Sequence, residues 1–220
     1  MDRRRCEAGR HDRRRPGPVT EPSRTPVRER LLDAAQAVIE SSGWAAVTMS
    51  GVAGAAGVSR QTVYNEFGTK HGLAEHLALR ELQRFLTVVS TRMRAEADIL
   101  DGIRAACEGT LQLGEESLLV RTIVGTAPAS RDNDFLTILT TESGEIVDAA
   151  VMVVQQTIDE LYPPTGLDAD ELRTVVEAMV RLVLSSLTRP SRPPVAAAAD
   201  IAWIVGMVLD GAAVRRPATG

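Results

Sequence analysis

The sequence is poor in aromatic residues and in cysteine. Aromatic side chains make up 3% of the 220 residues, although 44% of the residues are hydrophobic, and these are mostly Ala, Val and Leu. A β-sandwich is usually rich in Tyr, Phe and Trp, whereas this composition favours the packing of helix against helix. The composition therefore predicts an all-α fold.

Few residues are suited to metal binding or catalysis. The two cysteines, Cys6 and Cys107, are far apart, which excludes a disulfide framework and a clustered thiolate site. The three histidines, His11, His71 and His76, do not form a two-histidine metal face. No nucleophile elbow or phosphate-binding glycine loop is present. We therefore predict no metal, no cofactor and no catalytic residues.

The sequence also lacks a hydrophobic run of the length that a membrane span requires. The most apolar stretch, residues 195–209, is shorter than the roughly 20 residues needed, and Asp200 interrupts it. The basic N-terminus is not followed by an apolar segment, so it does not resemble a secretory signal. These features predict a cytoplasmic protein without a membrane partner.

Charge is distributed unevenly around the formal net charge of -4. Residues 1–72 contain 12 Lys and Arg against 8 Asp and Glu, whereas residues 73–220 contain 13 against 21. A basic N-terminal segment on an acidic remainder indicates that residues 1–72 bind a polyanion. Residues 1–25, with eight arginines and three prolines, are predicted to be disordered; whether they add phosphate contacts stays open.

Hydrophobic periodicity, caps and breakers predict a series of helices. The first runs from Thr25 and Pro26 to Gly43, and two short helices follow between Thr48 and Phe67. A long helix then begins at Lys70 and extends to about residue 98. The remaining predicted helices cover residues 101–113, 116–125, 132–141, 145–161, 168–187 and 195–211.

The segment TMSGVAGAAGVSRQTVYNEF, residues 48–67, has the pattern of a helix-turn-helix. Thr48 can cap its first helix, Gly57 can adopt the positive φ of the turn, and Ser59 can cap the second helix. The alternative is an ordinary helical hairpin with a solvated polar face. Glycines inside the first helix count against the assignment, because each weakens a helix.

The second helix of this segment has a polar outer surface. If Val63 and Phe67 face the core, Gln61 and Asn65 point almost directly away from it, with Thr62 and Tyr64 at the two sides. Amide side chains can bind adenine N7 and N6 in the major groove, whereas hydroxyl groups suit phosphate oxygens. Residues at the helix N-termini can also bind phosphates, and these are Thr48, Ser50 and Ser59.

This stretch resembles the DNA-binding domain of the tetracycline-repressor (TetR) family of transcriptional regulators. The family pattern T-x-x-x-[IV]-A-x-x-A-G-V-S-x-x-T-[LV]-Y-x-x-F-x-x-K-x-x-L is matched at Thr48, Val52, Ala53, Ala56, Gly57, Val58, Ser59, Thr62, Val63, Tyr64, Phe67, Lys70 and Leu73. The resemblance covers residues 27–73. It implies that Tyr64 and Lys70 hold phosphates and that the candidates for base contacts are Arg60, Gln61, Thr62 and Asn65.

The resemblance also implies a homodimer that binds a palindromic operator in double-stranded DNA and senses a small molecule in its helical body. Independently of it, the predicted helices 168–187 and 195–211 are apolar over most of their circumference, which fits a four-helix dimer interface or two central core helices. We therefore divide the chain into a disordered basic arm (1–25), a helix-turn-helix domain (26–72) and a ligand-binding and dimerisation domain (73–220).

The residues that would line an effector pocket are mainly apolar. They are Cys107, Thr110, Leu111, Phe135, Leu139, Val147, Val151 and Gln155, although an apolar stripe of this kind also fits plain core. Few aromatics favour an aliphatic or acyl effector over flat rings. Cys107 is either a redox trigger or inert packing.

The sequence thus predicts a ligand-responsive DNA-binding regulator, with repression as the default and activation left open. Glu66 departs from the family pattern: a carboxylate near phosphates repels them, so it either accepts from a cytosine amino group or turns aside. One alternative is a helical interaction module whose helix-turn-helix no longer binds DNA. An all-α enzyme is the least favoured.

Overall fold

A computed structural model describes residues 26–117, 120 and 143–215 of the chain. The predicted basic arm 1–25 and the predicted helix 132–141 lie outside these residues, as does most of the predicted helix 116–125. The predicted pocket residues Phe135 and Leu139 also lie outside them.

Throughout the described residues the chain is helical, without a strand, which confirms the predicted all-α fold. The helices are α1 (Val27–Ser42), α2 (Met49–Ala56), α3 (Arg60–Phe67), α4 (Lys70–Arg94), α5 (Ile99–Glu116), α6 (Ser143–Leu161), α7 (Ala169–Thr188) and α8 (Pro194–Arg215), with a short 3-10 turn at Trp44–Ala46.

The helix ends follow the local signals in the sequence. The Thr48 side chain accepts a hydrogen bond from the Gly51 amide and caps α2, and Ser59 accepts one from the Thr62 amide and caps α3. Gly57, at φ 67°, is left-handed and ends α2. Asp168 forms a capping box with α7. The helix-turn-helix that the sequence predicts is therefore present.

The first half of the chain builds its own hydrophobic core, here called the head core. Its fully buried side chains come from α1, α2, α3 and the first turns of α4, and include Leu31, Ala35, Val52, Val63, Leu73 and Leu77. Arg80 of α4 fastens α1 from outside this core: its Nη1 lies 2.7 Å from Asp33 Oδ1 and its Nη2 lies 2.7 Å from Gln36 Oε1. The start of α4 therefore moves with the head.

A second core, here called the body core, joins the end of α4 to α5, α6, α7 and α8. It contains Met93, Ile103, Cys107, Val147, Val151, Val176 and Ile201. Tyr162, just after α6, donates its hydroxyl to the Met93 carbonyl at 2.7 Å. A side chain at Gly102 would collide with that hydroxyl, so glycine is needed there. Because α4 supplies both Leu73 and Met93, it connects the two cores.

Helix α8 is longer than the sequence predicts, since it runs over 22 residues rather than over 195–211. Among the described helices it is long and apolar enough to span a membrane, judged by length and composition. The prediction that this segment is too short to span a membrane is therefore wrong, because the helix has 22 residues. One side of α8, including Ala198, Ile201 and Val205, is buried in the body core, which is the ordinary position of an apolar helix in a folded domain.

Candidate nucleic-acid interface

The predicted orientation of α3 is confirmed by the burial of its side chains. Val63 is fully buried and Phe67 is 6% exposed, so both belong to the head core. Gln61, Tyr64 and Asn65 are exposed. The polar side of this helix therefore faces away from the head core and is exposed to solvent.

The two amides on the outer side of α3 are hydrogen-bonded to each other. Gln61 Nε2 donates to Asn65 Oδ1 at 2.9 Å, across one helical turn. The bond orients both amides, because Gln61 directs its nitrogen toward Asn65 and Asn65 directs its oxygen toward Gln61. The pair therefore presents one defined arrangement of donor and acceptor groups.

A second pair on α3 joins a cation to a phenol. Arg60 Nη2 donates to the Tyr64 hydroxyl at 3.0 Å, and the guanidinium carbon lies 5.2 Å from the centroid of the tyrosine ring. This contact holds a positive charge beside the Tyr64 hydroxyl, and a guanidinium with several free N–H groups is a good phosphate ligand. The pair suits phosphate binding, as the sequence predicts for Tyr64.

The hydroxyl side chains at the helix N-termini serve first as caps. Thr48 and Ser59 bond the amides of their own helices, and Ser59 Oγ also lies 2.9 Å from Thr62 Oγ1. Thr48, Ser50 and Ser59 are all exposed. They stand at the positive ends of α2 and α3, where an anion is favoured. Their contact with phosphates stays a prediction.

Lys70 is held by Trp44, which the sequence analysis did not single out. Its Nζ donates to the Trp44 carbonyl at 3.2 Å and lies 4.7 Å from the centroid of the indole ring. This contact fixes the start of α4 to the turn that follows α1. Phosphate binding by Lys70 stays a prediction, and it would have to use an N–H other than the one that Trp44 accepts.

Glu66 pairs with Arg28, a residue that the sequence analysis also missed. Arg28 Nε lies 3.0 Å from Glu66 Oε2, and nearby Arg30 Nη2 donates to the Ala56 carbonyl at 2.8 Å. The two arginines thus tie the first turn of α1 to α2 and α3. No local sequence pattern could have revealed these contacts, because Arg28 and Glu66 are 38 residues apart in the chain, and Arg30 and Ala56 are 26 apart.

The structure places three of the predicted pocket residues in the body core. Cys107, Val147 and Val151 are buried together there, and Gln155 is half-buried. Thr110 is 7% exposed, and its Oγ1 has no hydrogen-bond partner in the described part of the chain. Buried hydroxyls usually have a hydrogen-bond partner, so Thr110 is a candidate for contact with a polar group of a ligand.

Two of the cavities in the body are lined by described residues. One, of about 390 Å³, lies between α5, α7 and the start of α8, and Leu111 of the predicted set lines it with Gly114, Leu187, Pro190 and Arg192. The other, of about 310 Å³, lies between α4 and α5. Both volumes are within the range that small ligands occupy.

Cys107 has the environment of an inert thiol. It is 5% exposed within the body core, and burial raises its pKa to about 12. Because the thiolate is the reactive form, such a side chain reacts slowly with oxidants. Its surroundings favour inert packing over a redox trigger.

Two family models match the chain. The model described as bacterial regulatory proteins, tetR family, matches residues 31–77, which contain most of α1, all of α2 and α3, and the start of α4. The model described as the C-terminal domain of the bacterial tetracyclin repressor matches residues 98–207.

Relatives and solved structures agree with both matches. The HTH-type transcriptional regulator AlkX of Mycobacterium tuberculosis is 33% identical over 189 residues, which cover 86% of this chain and 87% of AlkX. The crystal structure of the TetR family repressor AlkX from Dietzia sp. strain DQ12-45-1b, implicated in biodegradation of n-alkanes, has a TM-score of 0.68 at 28% identity and covers 83% of this chain and 97% of its own. The transcriptional regulator FadR from Bacillus subtilis, solved in complex with stearoyl-CoA, has a TM-score of 0.54 at 15% identity. The match covers 80% of this chain and 96% of FadR.

Proposed function

Because the chain belongs to the TetR family of DNA-binding transcriptional regulators, we propose that it is a repressor that places α3 in the major groove of a palindromic operator and is released by a small apolar effector. Proteins of this family are transcription regulators, not enzymes. The observation that carries the proposal is the outward polar side of α3, with Gln61 and Asn65 exposed opposite buried Val63.

TetR-family regulators bind DNA as dimers, and in this chain we assign the interface to α7 and α8. The side of α8 that faces away from the body core exposes Trp203 (68%), Ile204 (42%), Met207 (57%) and Val208 (37%). Leu182 of α7 is also exposed. An apolar stripe of this size on a folded domain supports association with a second copy, and four helices would then form the interface.

A two-fold dimer fixes the form of the operator. Each chain supplies one α3, so the two half-sites are inverted repeats, and their centres lie about 34 Å apart, one helical turn, or somewhat more. Arg60 and Tyr64 would contact phosphates, and Gln61, Thr62 and Asn65 would face base edges.

We assign the effector to the body and expect an aliphatic or acyl molecule. The buried surroundings of Cys107 and Val151 are apolar, and the unpartnered Thr110 hydroxyl could bond one polar group. The 28% identical repressor from Dietzia is implicated in biodegradation of n-alkanes, which supports an effector of this class. We place the protein in the cytoplasm, where the DNA is.

The DNA-binding test uses the purified full-length chain and a pool of randomised duplexes. We expect enrichment of a palindromic sequence and, by fluorescence anisotropy, weaker binding of Tyr64→Phe to every duplex tested. Tyr162→Phe is the matched control, because it removes the chain's other tyrosine hydroxyl, which bonds Met93 in the body. Failure of the wild type to bind any duplex better than random DNA would favour a helical interaction module.

The effector test uses the enriched duplex. Fatty acids, acyl-CoA esters and n-alkanes of increasing chain length are added to the preformed complex, and the released fraction is measured. Transcription in vitro from a promoter carrying the duplex then separates repression from activation. Release by planar aromatic compounds but by no aliphatic compound would contradict the assigned effector class.

A further inference from the structure

We infer that Gln61 and Asn65 act as one recognition unit that reads a single A·T base pair in each half-site, rather than as two independent base contacts. This inference rests on the proposed DNA binding and deepens it, since it names the base that the interface selects. The inference rests on the hydrogen bond of 2.9 Å from Gln61 Nε2 to Asn65 Oδ1 on the exposed side of α3.

The hydrogen bond fixes which polar groups remain for DNA. A primary amide has one oxygen acceptor and two N–H donors. Gln61 uses one of its two N–H groups toward Asn65, so its Oε1 remains as an acceptor beside one further N–H. Asn65 uses its oxygen toward Gln61, so its Nδ2 remains as a donor. Along the outer side of α3, the pair therefore offers an acceptor from residue 61 and a donor from residue 65.

This acceptor and donor match the major-groove edge of adenine. Adenine presents the N6 amino group as a donor beside the N7 acceptor, so Gln61 Oε1 can accept from N6 while Asn65 Nδ2 donates to N7. Guanine presents two acceptors, N7 and O6, and its O6 would face the Gln61 oxygen. The orientation of the pair thus selects adenine over guanine on the same strand.

The two side chains depend on each other for this selection. Without Asn65 Oδ1, the Gln61 amide can rotate by half a turn and present a donor in place of its acceptor, so its preference is lost. Without Gln61 Nε2, the Asn65 amide gains the same freedom. Preorganisation of this kind contributes to affinity because the bound orientation is already adopted in the free protein.

The neighbouring side chains of α3 are engaged in other ways. Thr62 contacts the Ser59 cap through its hydroxyl, and Arg60 contacts Tyr64. Glu66 of α3 is paired with Arg28 of α1. The amide pair therefore keeps unused polar groups on the side of α3 that lies opposite buried Val63.

The experiment is a double-mutant cycle on the enriched operator. Gln61→Met and Asn65→Leu keep the approximate size of each side chain and remove its hydrogen-bonding groups, and both positions are exposed, so the fold is expected to persist. We expect each single variant to lose affinity by about 5- to 150-fold, the factor for one bidentate base contact, and to relax preference at the same A·T pair. The double variant should lose little more affinity than the single variant that binds the operator less tightly.

Base analogues test the assignment of atoms. Replacing that adenine by 7-deazaadenine in both half-sites removes N7, and replacing it by purine removes the N6 amino group. We expect each analogue to weaken binding of the wild type and to leave Asn65→Leu nearly unchanged. Tyr64→Phe is the control, because it should weaken all duplexes alike and keep the response to both analogues.

The outcomes separate this inference from the proposed function. If the wild type enriches no sequence, DNA recognition itself is absent. If the wild type enriches an operator but the two single variants relax different base pairs, or their losses multiply in the double variant, DNA recognition stands and the single unit is wrong. Insensitivity of the wild type to both analogues would also overturn it.

Discussion

Arg28 Nε lies 3.0 Å from Glu66 Oε2, so an arginine in the first turn of α1 neutralises the acidic residue of α3. The pair stands at the edge of the surface that we assign to DNA. Two opposed effects follow from it, because Glu66 repels phosphates and also occupies an arginine that could bind one. We therefore expect the pair to weaken DNA binding while it ties α1 to α3.

Glu66→Gln is expected to raise DNA affinity. The substitution keeps the size of the side chain, removes one negative charge and frees Arg28 to approach a phosphate. One added phosphate contact per chain, and so two per dimer, should steepen the slope of log K against log salt by about 1.8, which anisotropy titrations at several salt concentrations can measure. Arg28→Gln is the control and should lower affinity at low salt. Equal salt slopes for Glu66→Gln and the wild type would argue against this role.

Trp203→Glu is expected to convert the dimer to a monomer. The substitution places a charge at the centre of the exposed stripe on α8, where burial of an unpaired carboxylate is strongly unfavourable. Light scattering coupled to size exclusion should give twice the mass of one chain for the wild type and the mass of one chain for the variant. The control is Met152→Glu, at a residue of α6 that is 65% exposed and lies outside the stripe. A dimeric Trp203→Glu variant would contradict the assigned interface.

Much of the helix-turn-helix could be predicted because its signals are local. Thr48 and Ser59 cap the helices that follow them, Gly57 takes the φ of 67° that the turn needs, and the spacing of Val63 and Phe67 sets the outward side of α3. Each of these features depends on residues within one or two turns of each other.

Contacts between distant segments could not be predicted in this way. The packing of Lys70 on Trp44 and the pairing of Arg28 with Glu66 depend on how α1 is placed against α3 and α4. The end of α8 was also missed. Gly211 follows Asp210 where the apolar pattern fades, and a glycine there usually ends a helix, but this helix continues through Gly211 to Arg215.

Arg80→Met is expected to destabilise the head. Arg80 is 19% exposed in its side chain, and its guanidinium contacts Asp33 and Gln36 of α1 across the packing of two helices. A hydrogen bond to a charged group contributes about 1.5 to 3 kcal/mol, and solvent screening reduces this at Asp33, whose side chain is 68% exposed. We therefore expect the free energy of urea unfolding to fall by about 1 to 3 kcal/mol in total.

Arg104→Met is the matched control for this prediction. Arg104 pairs with Asp101 and Glu108 of its own helix, and such pairs contribute about 0.3 to 0.5 kcal/mol. If both variants unfold at the same urea concentration, Arg80 does not fasten α1 to α4 in the way that its geometry indicates.

Stability is expected to fall as the pH rises above about 9, with a contribution from Cys107. Burial raises the pKa of this thiol to about 12, whereas a thiol in an unfolded chain has a pKa near 8.5. Between these values the unfolded state loses the proton and the folded state keeps it. The contribution is therefore complete below about pH 8.5 and decreases by up to about 1.4 kcal/mol per pH unit above it.

Cys107→Ala should remove this part of the pH dependence. The free energy of urea unfolding is compared at pH 8 and pH 10 for both proteins, so that any loss from the smaller side chain cancels. Tyr162, whose pKa is raised first by burial and then by Glu96 and Asp98, remains in the variant and keeps a dependence at higher pH. An unchanged difference between pH 8 and pH 10 would show that Cys107 does not contribute.

Helix α4 contributes side chains to both cores, so a change in its tilt at one core displaces the other. Leu73 lies in the head core and Met93 in the body core, 20 residues apart, which corresponds to about 30 Å of helix. A tilt of about 5° at the body end therefore carries the head through about 2.5 Å over that length. In the proposed symmetric dimer the displacements of the two heads would add, whereas the helical repeat of the DNA is fixed. A slight repacking around Met93 would therefore move the two α3 helices out of register with successive major grooves.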